Sequence, residues 1–441
     1  MTRRRALLVA ALLSATVGCA AHAQAPARAL HVVIVSIDGL RPEFYLDDAY
    51  PAPELRALVK AGSHARAAEG VFPSVTYPNH ATIVTGVRPD RHGVLYNVIP
   101  GPLGERTRWY EESSDLKAPP IWEWARAAGL ATAAVSWPVT AGARIDLLLP
   151  ERDYYAQKEP LERLRASATP GLFERLGVTP GPEMFKDVVR WDAFLAETAA
   201  AMIRQARPRL LLLHLVQTDY FQHRAGRDGA EVKPALARLD AHVGALRHAL
   251  GEAGLADRTV LIVTGDHGFE DVTQVVHPNV ALTRAGLRGC PAVGDGWRAT
   301  AHVAGGSAAI LVNPRGDVAA TAAAEAALRA EAADRYTVLT RRELDALGAM
   351  TDAALAIEAA PGHTVGGACR GALVRSGGGG QHGYLPSRPR MATGFVAAGA
   401  GVRAGVALER VRLVDVAPTA ARLLALAAPA VDGRVLAEIL E

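Results

Sequence analysis

Residues 31–39, HVVIVSIDG, decide how the rest of the chain is read. His31 to Ile37 is a continuous apolar and largely β-branched run, with none of the polar alternation of a half-solvated strand, so it predicts a strand covered on both faces. Asp38-Gly39 then ends it with a carboxylate and a turn residue. Similar runs recur at 130–137, 209–216, 258–265, 307–312 and 393–399, with helical patterns such as PIWEWARAAG, KPALARLDAHVGALRHALGEAG and RLVDVAPTAARLLALA between several of them. Alternation of this kind predicts an α/β sandwich on one mainly parallel sheet. Ligand sites in open α/β sheets lie beyond the carboxyl ends of the strands. There the sequence puts Asp38, Gln217-Thr218-Asp219 and Asp266-His267.

The chain has 441 residues, 50% apolar and 21% charged, enough for one large or two moderate domains with a substantial core. Its formal charge is only +3, and no basic run follows Arg3-Arg4-Arg5, which argues against binding of nucleic-acid duplexes. Those arginines precede LLVAALLSATVG and Ala21-His22-Ala23, the order of a signal peptide spanning 1–23. A rival is lipid attachment at Cys19, although Thr16 stands where such signals usually carry Leu. No later run reaches the roughly 18 apolar residues of a membrane span, so a periplasmic or secreted protein is expected. Cys290 and Cys369 remain after cleavage, either paired in an oxidising compartment or as separate buried thiols. Two segments break the strand and helix rhythm and are expected to be insertions: 143–195, cap-like, and 275–390, glycine-rich with short strands and an alanine-rich helix at 317–332.

Asp219 and His223 stand four apart in TDYFQH, on one face if that segment is helical. Asp266 and His267 are adjacent in VTGDHGF, which suits a tight turn. With Asp38 and with His382 of GGQHGY they make three carboxylates and three imidazoles, a donor set suited to zinc or a similar divalent ion. Thr76, in VFPSVTYPNHATIVTGVRPDRHGVLYN (71–97), opens a predicted helix, where a hydroxyl is either a cap or a nucleophile. A helix N-terminus favours an alkoxide and an incoming phosphate alike.

The order of these motifs, a T-[FY]-P-N-H segment, G-x-x-P-x-x-H-G-x-x-x-N, D-x-x-x-H, D-H-G and H-G-Y after the first strand's Asp, resembles the alkaline phosphatase superfamily. Within it, the pattern is most similar to the nucleotide pyrophosphatase/phosphodiesterase family, from His31 to about His382, and LVDVAPTAARLLAL (413–426) resembles the superfamily's last helix. The resemblance implies an alkaline phosphatase-like three-layer sandwich over 24–441 and two Zn2+ ions. It places one ion on Asp219, His223 and His382 and the other on Asp38, Asp266 and His267. Thr76 is the implied nucleophile, touching the second ion, and Asn97 the implied holder of a non-bridging phosphoryl oxygen. The implied reaction is two-step hydrolysis through a covalent phosphothreonine.

Asn97 is neutral, whereas a phosphomonoesterase must neutralise an extra charge, so a phosphodiester is the expected substrate; Arg91, in a PDRHG turn, is expected to be solvated. The family grips a base between two aromatics, and the matching positions here are Tyr77 and His214, whose smaller second face implies either a weaker grip on a base or a different substrate. The family's G-H-x-x-G-P continuation is altered to Gln222-His223-Arg224-Ala225-Gly226. Tyr154, Tyr155 and Trp191 offer substitute stacking or plain packing. The alternatives are a phosphomonoesterase or phosphonate hydrolase on the same scaffold, and a non-catalytic binding protein.

Overall fold

A computed structural model describes residues 31–101, 104–154, 158–290 and 296–441. The expected signal peptide, Cys19 and Tyr155 lie outside the described residues. The central sheet has eight strands, labelled β1 (His31–Ile37), β2 (Ser63–Ala65), β3 (Thr132–Val135), β4 (Leu147–Leu149), β5 (Leu210–Leu215), β6 (Thr259–Thr264), β7 (Phe395–Gly399) and β8 (Val406–Leu408). Their spatial order is β8-β2-β7-β6-β1-β5-β3-β4. From β6 to β4 every neighbouring pair is parallel. Only β7 runs against its neighbours, pairing antiparallel with β6 and β2.

The unbroken apolar runs are explained by burial on both faces. Val33, Val35 and Ile37 of β1, with Leu211, Leu213 and Leu215 of β5, enter one core beneath helices Val188–Ala206 and Val232–Glu252. Val32, Ile34, Leu210 and Leu212 enter the opposite core, against Ile83 and Val84 of helix Thr76–Thr85 and the last helix, Val416–Leu423. All of these strand residues are 2% exposed or less, and each such side chain contributes roughly 1.5–3 kcal/mol by leaving water.

Two of the expected strands differ from a uniform parallel sheet. The 393–399 run supplies the antiparallel β7. SAAILV (307–312) does not enter the central sheet at all: it pairs with Ala299–Ala304 and Leu355–Ala359, and the latter with Tyr336–Leu339, in a separate antiparallel sheet. Helices Pro278–Arg284 and Val318–Ala332 close that sheet's own core. The alanine-rich helix starts at an Asp317 cap whose carboxylate accepts the Ala320 N–H at 2.9 Å. Residues 143–195 provide β4 and a set of helices whose Leu164, Leu172, Phe173 and Trp191 join the first central core. Cys290 and Cys369 form a disulfide, Cα–Cα 5.6 Å, across 79 residues of the second sheet's surroundings.

Candidate metal centre and active site

The register aligns Ile37 with Leu215 and Ser36 with Thr264, so β1, β5 and β6 release their chains at one edge. Asp38 follows β1 directly. The chain then turns at Gly39, whose φ is +69° and whose space would place any Cβ 2.8 Å from Phe269. Beyond β5, helix Gln217–Ala225 puts Asp219 and His223 one turn apart. Beyond β6, Gly265-Asp266-His267 is a tight excursion in which Asp266 Oδ1 accepts the N–H groups of Gly39 and His267, both at 3.0 Å. His382 arrives from the glycine-rich stretch; Gly379, at φ +80°, packs so closely on the His223 carbonyl that no Cβ fits.

Five of the six predicted ligands fall into two groups able to hold an ion, Asp38/Asp266/His267 and Asp219/His267/His382. The sixth, His223, places Nε2 3.3 Å from Asp219 Oδ1 and 3.1 Å from His382 Nε2. His267 lies in the second group as well as the first, its ring stacked on that of His382 at 3.6 Å. The two groups are therefore adjacent.

Three observations fit these donors to cations. Asp38 Oδ1, Asp219 Oδ1, Asp266 Oδ2 and His267 Nε2 are buried with no hydrogen-bond partner, although buried polar atoms are ordinarily satisfied. Each imidazole is anchored through Nδ1 to a backbone carbonyl: His223 to Gly380 at 3.1 Å, His267 to Gly268 at 3.2 Å and His382 to Ser74 at 3.0 Å. A backbone acceptor at Nδ1 fixes the proton there and turns the Nε2 lone pair inward, as a metal ligand requires. Finally, the electrostatics leave two carboxylates short of counter-charge and keep two imidazoles neutral, the form that ligates a metal. Burial, then the neighbouring carboxylates Asp266 and Asp219, drives Asp38 well above the carboxylate range, and burial lifts Asp266 to about 6. Burial lowers His267 to about 4 and, with the adjacent imidazoles, holds His382 well below its usual value.

Thr76 is the first residue of helix Thr76–Thr85; the cap position belongs to Val75, and no side chain caps this helix. The cap reading of Thr76 therefore fails. The residue lies between two contacts with the centre: His382 bonds the Ser74 carbonyl, and His80 bonds the Thr76 carbonyl at 2.8 Å while standing 3.8 Å from Asp266. Asn97 Oδ1 accepts the Tyr77 N–H at 2.9 Å, which orients its amide NH2. Asn97, His223 and His382 line a common cavity of about 330 Å³.

The predicted base-gripping pair is corrected by the structure. His214 is 1% exposed and lies behind the centre, with Nε2 3.1 Å from Asp38 Oδ2 and Nδ1 2.8 Å from Glu151 Oε2. Burial opposes protonation of His214, but Glu151 and Asp38 outweigh it and hold the imidazole well above its usual value. It has no face to offer a base. Tyr77 is 3% exposed, packs on Trp109 at 5.4 Å and hydrogen-bonds the same Glu151, burial and that carboxylate holding its phenol well above the ordinary range. A chain of contacts thus runs from Tyr77 through the partly exposed Glu151 and buried His214 to Asp38. Sequence reasoning missed Glu151, which lies 63 residues from His214 and carries no motif. Tyr154 and Trp191 are core residues, in contact at 5.8 Å. Arg91 pairs with Asp432 at 2.6 Å, away from the centre.

An α/β sandwich with a carboxylate and imidazole cluster beyond its parallel strands, beside a helix opened by threonine, has the alkaline phosphatase-like fold. The sequence model of the family "Type I phosphodiesterase / nucleotide pyrophosphatase" matches residues 32–359. The chain belongs to that family. Human ectonucleotide pyrophosphatase/phosphodiesterase family member 1 is 28% identical over 249 residues, 54% of this chain and 23% of that protein. Human family member 7 is 27% identical over 266 residues, 58% of this chain and 51% of its own length. The chain thus spans from about a quarter to half of these curated relatives. Among solved structures, human ectonucleotide pyrophosphatase/phosphodiesterase 5 superposes with a TM-score of 0.68 at 21% identity, covering 93% of this chain and all of that one. Its murine counterpart, as an inactive threonine-to-alanine variant in complex with AMP, gives the same score at 22% identity and the same coverage.

Proposed function

We propose that this protein is an exported, metal-dependent phosphodiesterase acting on nucleotide-like or other small phosphodiesters, with Thr76 as nucleophile. The observation that carries the reading is the set of buried, unpartnered ligand atoms at the strand ends beside the first residue of a helix. Asp219, His223 and His382 would hold one zinc-like ion, and Asp38, Asp266 and His267, with the Thr76 oxygen, a second. Bound there, such ions supply Lewis-acid charge and make a hydroxyl nucleophilic at neutral pH.

The chain's own groups do the rest. Thr76 Oγ1 forms a bond to phosphorus as the bond to the leaving oxygen breaks, and its proton passes to solvent. The N-terminus of helix Thr76–Thr85 offers backbone N–H groups to the phosphoryl oxygens, and Asn97 donates its amide N–H to a non-bridging oxygen. Water then attacks the phosphothreonine, breaking the bond to Thr76 and releasing the product. A neutral Asn97 matches the single negative charge of a diester. The AMP complex of the murine relative supports nucleotide-like substrates, although the Tyr77 and His214 pair is not available to grip a base. Export is supported by the Arg3-Arg4-Arg5 and apolar order of 1–23 and by the disulfide, which suits an oxidising compartment. Among the described residues no helix is long and apolar enough to cross a membrane.

The test is a comparison of bis-p-nitrophenyl phosphate, p-nitrophenyl phosphate and p-nitrophenyl thymidine monophosphate, with and without chelator. Turnover of the diesters, abolished by chelator and by Thr76→Ala while that variant still binds zinc, is the expected result. A clear monoester preference, or wild-type rates in Thr76→Ala, would overturn the reading.

A further inference from the structure

Next to the cavity that holds Asn97, His223 and His382 lies a second, of about 570 Å³, and the two share Arg106, Val303 and Val365 in their walls. The outer cavity is lined by a second arginine, Arg288. Its Nε and Nη1 are buried and have no hydrogen-bond partner, and burial alone lowers its pKa. Among the described residues no ion pair engages either Arg288 or Arg106; the Arg106 guanidinium rests 5.8 Å from the Trp109 ring centre. Asn279, another lining residue, is by contrast spent on the fold: its amide bonds both the N–H and the carbonyl of Ala301, at 2.8 and 3.1 Å. Against the two cations, Glu105 is the one acidic side chain among the described lining residues. The Cys290–Cys369 disulfide braces the wall, since Cys369 lines the cavity and Arg288 lies two residues from Cys290. Buried guanidinium nitrogens without a partner are costly, and the planar fork they belong to matches phosphate and carboxylate oxygens.

We infer that this outer cavity is a subsite for an anionic group, a phosphate or a carboxylate, carried on the substrate arm that extends past His223 and His382, with Arg288 as its principal partner and Arg106 at its mouth. The inference rests on the phosphodiesterase reading and names the substrate class of that site.

The experiment measures kcat/KM for three thymidine 5′-phosphate derivatives: the p-nitrophenyl ester, with an uncharged arm, the 4-carboxyphenyl ester, and thymidine triphosphate. In Arg288→Met the ratio of an anionic-arm substrate to the p-nitrophenyl ester falls about tenfold or more, the loss of one charge-assisted contact, and Arg288→Lys partly restores it. A fall on the triphosphate identifies a phosphate guest, and a fall on the carboxyphenyl ester a carboxylate. Ratios that stay within about twofold of wild type on both, a span smaller than one such contact, overturn the subsite. Should Arg288→Met fail to fold, Arg106→Met is read by the same ratios and the same criterion. Wild-type enzyme that leaves the p-nitrophenyl ester intact would instead sink the phosphodiesterase reading.

Discussion

His214 is a buried residue that touches the candidate metal centre from behind, through Asp38. It spans the buried Asp38 and the partly exposed Glu151, and it fixes the Asp38 oxygen it bonds, Oδ2, so that Oδ1 is left facing the centre. Partners that orient a metal ligand are worth roughly ten- to hundredfold in metal affinity. His214→Leu is therefore expected to weaken zinc binding by that order, measured by calorimetric titration of chelated protein; an unchanged affinity would show that Asp38 keeps its orientation unaided. Its place was legible in part. The LLLLHL run of β5 has no polar alternation, which means burial on both sides, and period two puts His214 on the face of Leu210 and Leu212, towards helix Thr76–Thr85, where His80 meets its ring at 4.3 Å. The family pattern suggested a base-facing ring; the strand's own periodicity spoke against it.

Helix Gln217–Ala225 carries Asp219 and His223, and its start is fixed from outside. Asp192, buried in helix Val188–Ala206, accepts the N–H of Val216 at 3.0 Å and of Gln217 at 2.9 Å. The helix has no side-chain cap of its own, so Asp192 does that work across 25 residues, satisfying N–H groups that would be orphans. Asp192→Ala strands those donors in the interior and is expected to cost about 2 kcal/mol, read as a lower urea midpoint, with weakened zinc binding because both proposed ligands ride on the helix. A midpoint equal to wild type would show that water replaces the carboxylate. Elements of this kind were readable from periodicity, as the four-residue spacing of TDYFQH was. The distant cap was not, because a buried Asp inside an apolar helix has no sequence signature.

At the scale of the molecule, the Cys290–Cys369 bridge closes a loop of sequence separation 79 that includes the second sheet and begins two residues after Arg288. Loop-closure entropy for a loop of that length corresponds to about 4.5 kcal/mol. Replacing both cysteines by serine should lower the thermal midpoint in non-reducing buffer and make it insensitive to reductant; a wild-type midpoint in the double variant would show that the second sheet's core, not the bridge, holds this region. The sequence by itself determined the buried strands, because side chains buried on both faces leave an unbroken apolar run, and it determined the six metal-ligand candidates, because carboxylates and imidazoles, most of them at strand ends, have few other reasons to recur in that order. Tertiary structure alone decided the sheet order, the departure of SAAILV into a second sheet, the pairing of the cysteines and the Tyr77–Glu151–His214–Asp38 chain. Those depend on which distant segments share a burial environment. Local periodicity records that a residue is buried, and it is silent on what lies against it.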